Sequence, residues 1–129
     1  MSEASVLVVE DDESNLKLVR FVLEQSGYRV RAAADADAAL DALRTFKPAL
    51  ILMDVQLPGI DGLELTRRLK AREDLRDVVV VALTAHPVAR FQHLARAAGC
   101  AGCLGKPIDT RALPDQLTRF LRGAPALAS

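Results

Sequence analysis

Three unbroken apolar runs constrain the fold more than any other feature: Val6-Leu7-Val8-Val9, Leu50-Ile51-Leu52-Met53, and residues 78–83. Runs this short, with no polar alternation, suit strands covered on both faces, as in a parallel sheet. Between them lie segments with apolar residues at helical spacing. Residues 13–26 carry Leu16, Val19 and Leu23 on one face and stop at Gly27, and residues 36–46 carry Leu40 and Leu43 and stop near Pro48. Further helices are expected at 63–72, at 89–98 before Gly99, and at 111–122, where Leu113, Leu117, Phe120 and Leu121 face inward. Strands are expected at 5–9, 28–33, 49–53, 78–83 and 102–105; in the second, Tyr28, Val30 and Ala32 alternate with Arg29 and Arg31. Five strand–helix units predict an α/β domain, a (βα)5 doubly wound five-stranded parallel sheet. Right-handed crossovers then send every strand's C-terminal end to one edge, where such sheets place their sites.

What ends each strand is therefore the functional question. The first ends in Glu10-Asp11-Asp12, the third in Asp54, the fourth in Thr84 and the fifth in Lys106-Pro107. A carboxylate at the end of a buried strand is costly without a partner. Clustered carboxylates suit a hard divalent cation, most naturally Mg²⁺, and the lysine can neutralise further charge. A metal, a lysine and a hydroxyl around a carboxylate would stabilise a phosphoryl group arriving on it, and carboxylates do serve as phosphoryl acceptors. Taken singly, Asp54 could cap a loop, Thr84 could be a β-branched strand residue and Lys106 a surface lysine; their joint arrival at one edge is what carries the argument.

Composition narrows the alternatives. Net charge is zero, but residues 1–64 hold 12 acids and 6 bases while residues 65–129 hold 5 and 11. That split argues against a global nucleic-acid-binding surface, and the lack of Trp argues against a base-stacking platform. No stretch is long enough to span a membrane, and the first apolar run, flanked by acids, does not resemble a signal peptide. With two Cys and no export signal, a reducing cytoplasm is the expected location.

The stretches VLVVEDDESNLKLV, LILMDVQLPGIDGLEL, VVVVALTA and GKPID stand in order and at matching spacing over about residues 5–121. In them the chain resembles the receiver domain of bacterial response regulators. The resemblance implies a flavodoxin-like strand order 2-1-3-4-5, with residues 1–123 as the receiver domain and 124–129 as a short tail. It implies that Asp54 accepts a phosphoryl group from a phosphohistidine, on a sensor histidine kinase or a histidine phosphotransfer protein. Asp11 would ligate Mg²⁺ directly and Glu10 would assist, with Asp54 and the backbone carbonyl of Gln56 completing the metal's protein ligands. Thr84 and Lys106 would hold phosphoryl oxygens, and Pro107 would follow Lys106 through a cis bond. Asp12 falls one place beyond the family's acid pair and is expected to cap the first helix.

The expected protein is thus a single-domain phosphoacceptor switch of a two-component relay. It is not a turnover enzyme, though hydrolysis of its own phosphoryl group is expected. Without a DNA-binding domain or membrane anchor, output would pass to a downstream effector protein. A phosphorylation-independent interaction module is the alternative. An aspartyl phosphatase is disfavoured because Gln56 stands where such enzymes usually place a second acid.

Four features stand apart. Cys103 occupies the position, three before the lysine, where many receivers carry the Tyr or Phe that turns inward on activation; a thiol cannot fill that volume. His86, two residues after Thr84, holds a position that in the family tends to tune water attack on the phosphoryl group, as does Gln56; the alternative is an exposed loop histidine. Cys100 and Cys103 form C-x-x-C, but the pair follows a helix and enters a strand, the reverse of the redox arrangement. Arg67, Arg68, Lys70 and Arg72 read as a solvated helix end.

Overall fold

The computed structural model describes residues 4–123; the tail expected at 124–129 lies outside them. The elements are β1 (Ser5–Val9), α1 (Glu13–Gln25), β2 (Arg29–Ala33), α2 (Ala36–Ala42), β3 (Leu50–Asp54), α3 (Gly62–Lys70), β4 (Val79–Thr84), α4 (Val88–Ala98), β5 (Gly102–Gly105) and α5 (Leu113–Leu121). All strands are parallel, in the order β2-β1-β3-β4-β5.

The apolar runs fill both faces of this sheet. Leu7, Val9, Ile51, Met53, Val80 and Ala82 pack with residues of α2, α3 and α4. The alternate residues Val6, Val8, Leu50, Leu52, Val81 and Leu83 pack with Val19 and Leu23 of α1 and with Leu113, Leu117 and Phe120 of α5. Two cores are built from one set of strands, which is why these strands tolerate no polar alternation. β2 lies at the edge, and its Arg29 and Arg31 are exposed as their alternation requires.

Helix ends follow local chemistry. Asp12, Asp35 and Asp61 each accept a hydrogen bond from a backbone N–H of the first turn they precede. α2 stops short of the expected residue 46. Its last turn tightens as Arg44 and Thr45 donate to the carbonyls three residues back, and Pro48 forces Lys47 away from helical geometry. Leu40 is not a core residue of α2: Ala39 and Ala42 are buried, and Leu40 is 38% exposed. α3 starts one residue early, at Gly62, and ends at Lys70. A 3-10 turn at Glu73–Leu75, absent from the sequence reading, plugs Leu75 into the core below α3. α5 begins two residues late because Asp109 Oδ1 accepts from the Arg111 and Ala112 amides and holds that segment as a turn.

Candidate functional site

Sheet register places the site. Val9 pairs with Met53, so Glu10 and Asp54 leave the sheet side by side, and Asp54 in turn lies level with Leu83. Thr84 pairs with Gly105, and the Lys106 amide donates to the Thr84 carbonyl, which brings the lysine to the same edge. Carboxylate oxygens of Glu10, Asp11 and Asp54 lie within 4.8 Å of one another. Glu10 and Asp54 are 1% and 2% exposed, while Asp11 faces solvent.

Lys106 is the cation of the group. Its Nζ donates to Asp54 Oδ2 at 2.8 Å and lies 3.3 Å from Glu10 Oε1. The second contact is an ion pair without hydrogen-bond alignment, so Glu10 Oε1 is buried with no donor. Burial tends to lower Lys106, but the Asp54 and Glu10 carboxylates outweigh it and hold the ammonium above the usual lysine range. Burial pushes Glu10 up to about 7, and the Asp54 carboxylate beside it adds to the rise. One lysine does not satisfy two buried carboxylates beside a third. The orphaned oxygen and the three-carboxylate cluster fit a hard divalent cation, which takes oxygen ligands and supplies the missing positive charge.

The Asp54 side chain is aimed by its own loop. Gln56 N donates to Asp54 Oδ1 at 2.9 Å, and the Gly62 amide donates to the Val55 carbonyl at 2.7 Å, tying the end of β3 to the start of α3. The Gln56 side chain is exposed. Pro58-Gly59 turns this loop, with Gly59 at φ +79°. Asp12 stays outside the cluster: its carboxylate caps α1 through the Asn15 amide, while its own amide donates to Glu10 Oε2.

The remaining residues sit around this centre. Thr84 is buried, and its Oγ1 accepts from the His86 amide at 2.9 Å rather than bonding to Asp54. The Lys106–Pro107 bond is cis. His86 is exposed, and its ring stacks on Phe91 of α4, a partner the sequence reading did not consider. Cys103 is buried in the core shared by α3 and α4, far too small for a ring's volume. Burial raises the thiols of Cys100, to about 11, and of Cys103, which disfavours the thiolates that disulfide exchange needs. The basic end of α3 is engaged locally: Arg67 and Arg68 pair with Glu64, Arg72 with Asp74, and Lys70 donates to the Arg76 and Val78 carbonyls.

A doubly wound βα sheet carrying an acid cluster and a lysine at its carboxyl edge defines the receiver class. The family model for the response regulator receiver domain matches residues 6–118, and the chain belongs to that family. It is 40% identical over 120 residues to the polar-differentiation response regulator DivK of Brucella ovis, covering 93% of this chain and 98% of that one, and 39% identical to DivK of Brucella anthropi over the same shares. Among solved structures, the chemotaxis response regulator CheY4 of Vibrio cholerae superposes with a TM-score of 0.86 at 28% identity, covering 92% of this chain and 98% of that one. The receiver domain of a sensor histidine kinase from Pseudomonas aeruginosa superposes at 0.82 with 32% identity, over 94% and 99%; that structure has a magnesium ion coordinated in its active site cleft. Receiver domains are signalling proteins rather than turnover enzymes. Among the described residues, no helix is long and apolar enough to cross a membrane.

Proposed function

We propose that this chain is a single-domain response regulator of a two-component phosphorelay, with residues 1–123 as its receiver unit. It takes a phosphoryl group onto Asp54 from a phosphohistidine of a sensor kinase or phosphotransfer protein, and thereby changes its affinity for an effector protein. The carrying observation is the Asp54 carboxylate at the end of β3, with the Lys106 ammonium at 2.8 Å and the carboxylates of Glu10 and Asp11 beside it. Coverage of nearly the whole length of the DivK relatives supports the single-domain form.

In the transfer, an Asp54 oxygen forms the new P–O bond while the donor's P–N bond breaks, and the departing imidazole takes up a proton. Asp11, Asp54, Glu10 and the Gln56 carbonyl are the groups that would hold Mg²⁺, which supplies positive charge to the transferring oxygens. Lys106, already at Asp54, moves its ammonium onto a phosphoryl oxygen. Thr84 offers its hydroxyl proton to another. In hydrolysis a water oxygen forms the new bond to phosphorus, the P–O bond to Asp54 breaks, and inorganic phosphate leaves with the carboxylate restored; His86 and Gln56, whose amides reach Thr84 and Asp54, are exposed beside that step.

Incubation with Mg²⁺ and acetyl phosphate, followed by intact mass measurement, tests this reading. One phosphoryl group should be gained, stable to acid and labile to base, and none without Mg²⁺. No gain despite normal Mg²⁺ binding would favour the phosphorylation-independent interaction module.

Two further results are expected. Glu10 must release its proton to face a cation, so apparent Mg²⁺ affinity should fall about tenfold from pH 8 to pH 6, and Glu10→Gln should flatten that profile. Because Glu10 binds its proton more tightly in the folded state, the metal-free protein should lose stability as pH rises from 4.5 through about 7. Titrations of Mg²⁺ and thermal melts across this range check both. Separately, α1 starts at the site's edge and exposes Leu18 and Phe21, at 46% and 62%. These apolar side chains lie one to two turns along the helix that begins at the site, a surface that suits a protein donor. Phe21→Ala should slow phosphoryl transfer from a phosphorylated protein donor about tenfold or more, leaving uptake from acetyl phosphate unchanged.

A further inference from the structure

The stack of His86 on Phe91 has no part in binding metal or phosphate, yet it joins the site to α4. His86 reaches toward the site through its backbone, whose N–H donates to Thr84 Oγ1 at 2.9 Å. It reaches away through its ring, which lies over Phe91 with centroids 5.8 Å apart and planes 12° from parallel, an offset stack. Phe91 is half-buried on the first turns of α4 and packs with Val88 against the core that contains Cys103. No side chain caps the start of α4: Pro87 precedes Val88 and makes no capping bond. Apart from the Arg90 and Phe91 amides, which donate to the Pro87 carbonyl, the N-terminal turn of α4 is held by packing, and the exposed side of that packing is the His86 ring.

We infer that the His86–Phe91 stack is the element that couples Thr84 to α4 in this chain, in place of a buried ring at position 103. The inference rests on phosphorylation at Asp54. A phosphoryl group there presents strong acceptor oxygens to the Thr84 hydroxyl. A Thr84 side chain drawn to them gives up the His86 amide, and the freed loop residue carries its ring off Phe91. Without the stack, the first turn of α4 loosens. With Cys103 too small to replace a ring in the core, the signal runs along the outside of the β4–α4 junction.

Amide hydrogen exchange of α4, read by mass spectrometry before and after phosphorylation with acetyl phosphate and Mg²⁺, tests the coupling. In the parent chain, phosphorylation should speed exchange over residues 86–92 about three- to tenfold, the range expected for losing one aromatic stack. Phe91→Leu should take up phosphate as the parent does, exchange fast over 86–92 before phosphorylation, and show no further change after it. Phe91→Tyr, which keeps the ring, should restore the parent response. In unphosphorylated protein, His86→Ala and Phe91→Leu should be non-additive, the double variant exchanging no faster than either single one. Additive effects, or a full phosphorylation response in Phe91→Leu, would overturn the coupling while leaving the phosphoacceptor reading intact. A parent chain that takes no phosphoryl group would overturn both.

Discussion

Asp54→Asn should abolish phosphoryl uptake from acetyl phosphate and from any phosphohistidine donor, with the protein still folded. The carboxamide has the shape of the carboxylate and its oxygen can still accept the Gln56 amide, now made to Asp54 Oδ1 at 2.9 Å. It lacks the anionic oxygen that attacks phosphorus. It also removes one of the carboxylates crowded around Lys106, so Glu10 becomes the lysine's only close buried partner among the described residues. Like charge leaves a site that has one cation for two buried acids, so the variant should melt no lower than the parent in the absence of Mg²⁺. Loss of uptake in a protein of parental stability separates chemistry from folding. Uptake persisting in Asp54→Asn would mean that another carboxylate, such as solvent-facing Asp11, is the acceptor.

Gly62→Ala should be among the most damaging single substitutions to stability. A Cβ at Gly62 would overlap the Asp54 carbonyl oxygen and lie 2.9 Å from Val55 Cα. Both neighbours are backbone at the end of a buried strand and cannot turn aside as a flexible side chain would. Either α3 moves out, breaking the Gly62–Val55 hydrogen bond, or the Asp54–Val55 backbone shifts and re-aims the acceptor. The cost should be about 3 kcal/mol, a fall in Tm of about 10 °C. Gly59 is the control. It has open space around its Cβ position and only its φ of +79° to lose, so Gly59→Ala should cost about 1 kcal/mol. Thermal unfolding of both variants checks the contrast; equal stabilities would mean that α3 does not press on the end of β3.

The sequence made the sheet legible because its central strands are buried on both sides. Residues 50–53 and 78–83 show this as unbroken apolar runs, and the residues that end them, Asp54 and Thr84, are conspicuous for breaking the pattern. The start of α1 was legible because Asp12 caps it, whereas the Asp61 cap that starts α3 one residue early was not read. Less visible were features that depend on two distant elements meeting. Leu40 has the spacing of a core residue, but α2 packs through its alanines. Leu75 is a lone apolar residue among charges, too short a signal to mark the 3-10 turn that buries it. Gly62 reads as half of an Asp-Gly turn, and only the packed fold shows that α3 crosses β3 too closely for a side chain. The 3.3 Å approach of Lys106 to Glu10 joins the ends of β5 and β1 past two intervening strands, and no local pattern announces it. His86 and Phe91 are five residues apart across a loop–helix junction, where neither strand nor helix periodicity applies.

The central claim is that Asp54 carries the phosphoryl group, and borohydride reduction of the acetyl phosphate-treated protein tests it most directly. Borohydride converts an aspartyl phosphate to homoserine, and peptide mass spectrometry then locates the change. The account predicts homoserine at position 54, dependent on both Mg²⁺ and acetyl phosphate, with every other aspartate intact. Homoserine at Asp11 or elsewhere, with position 54 unreduced, would contradict it.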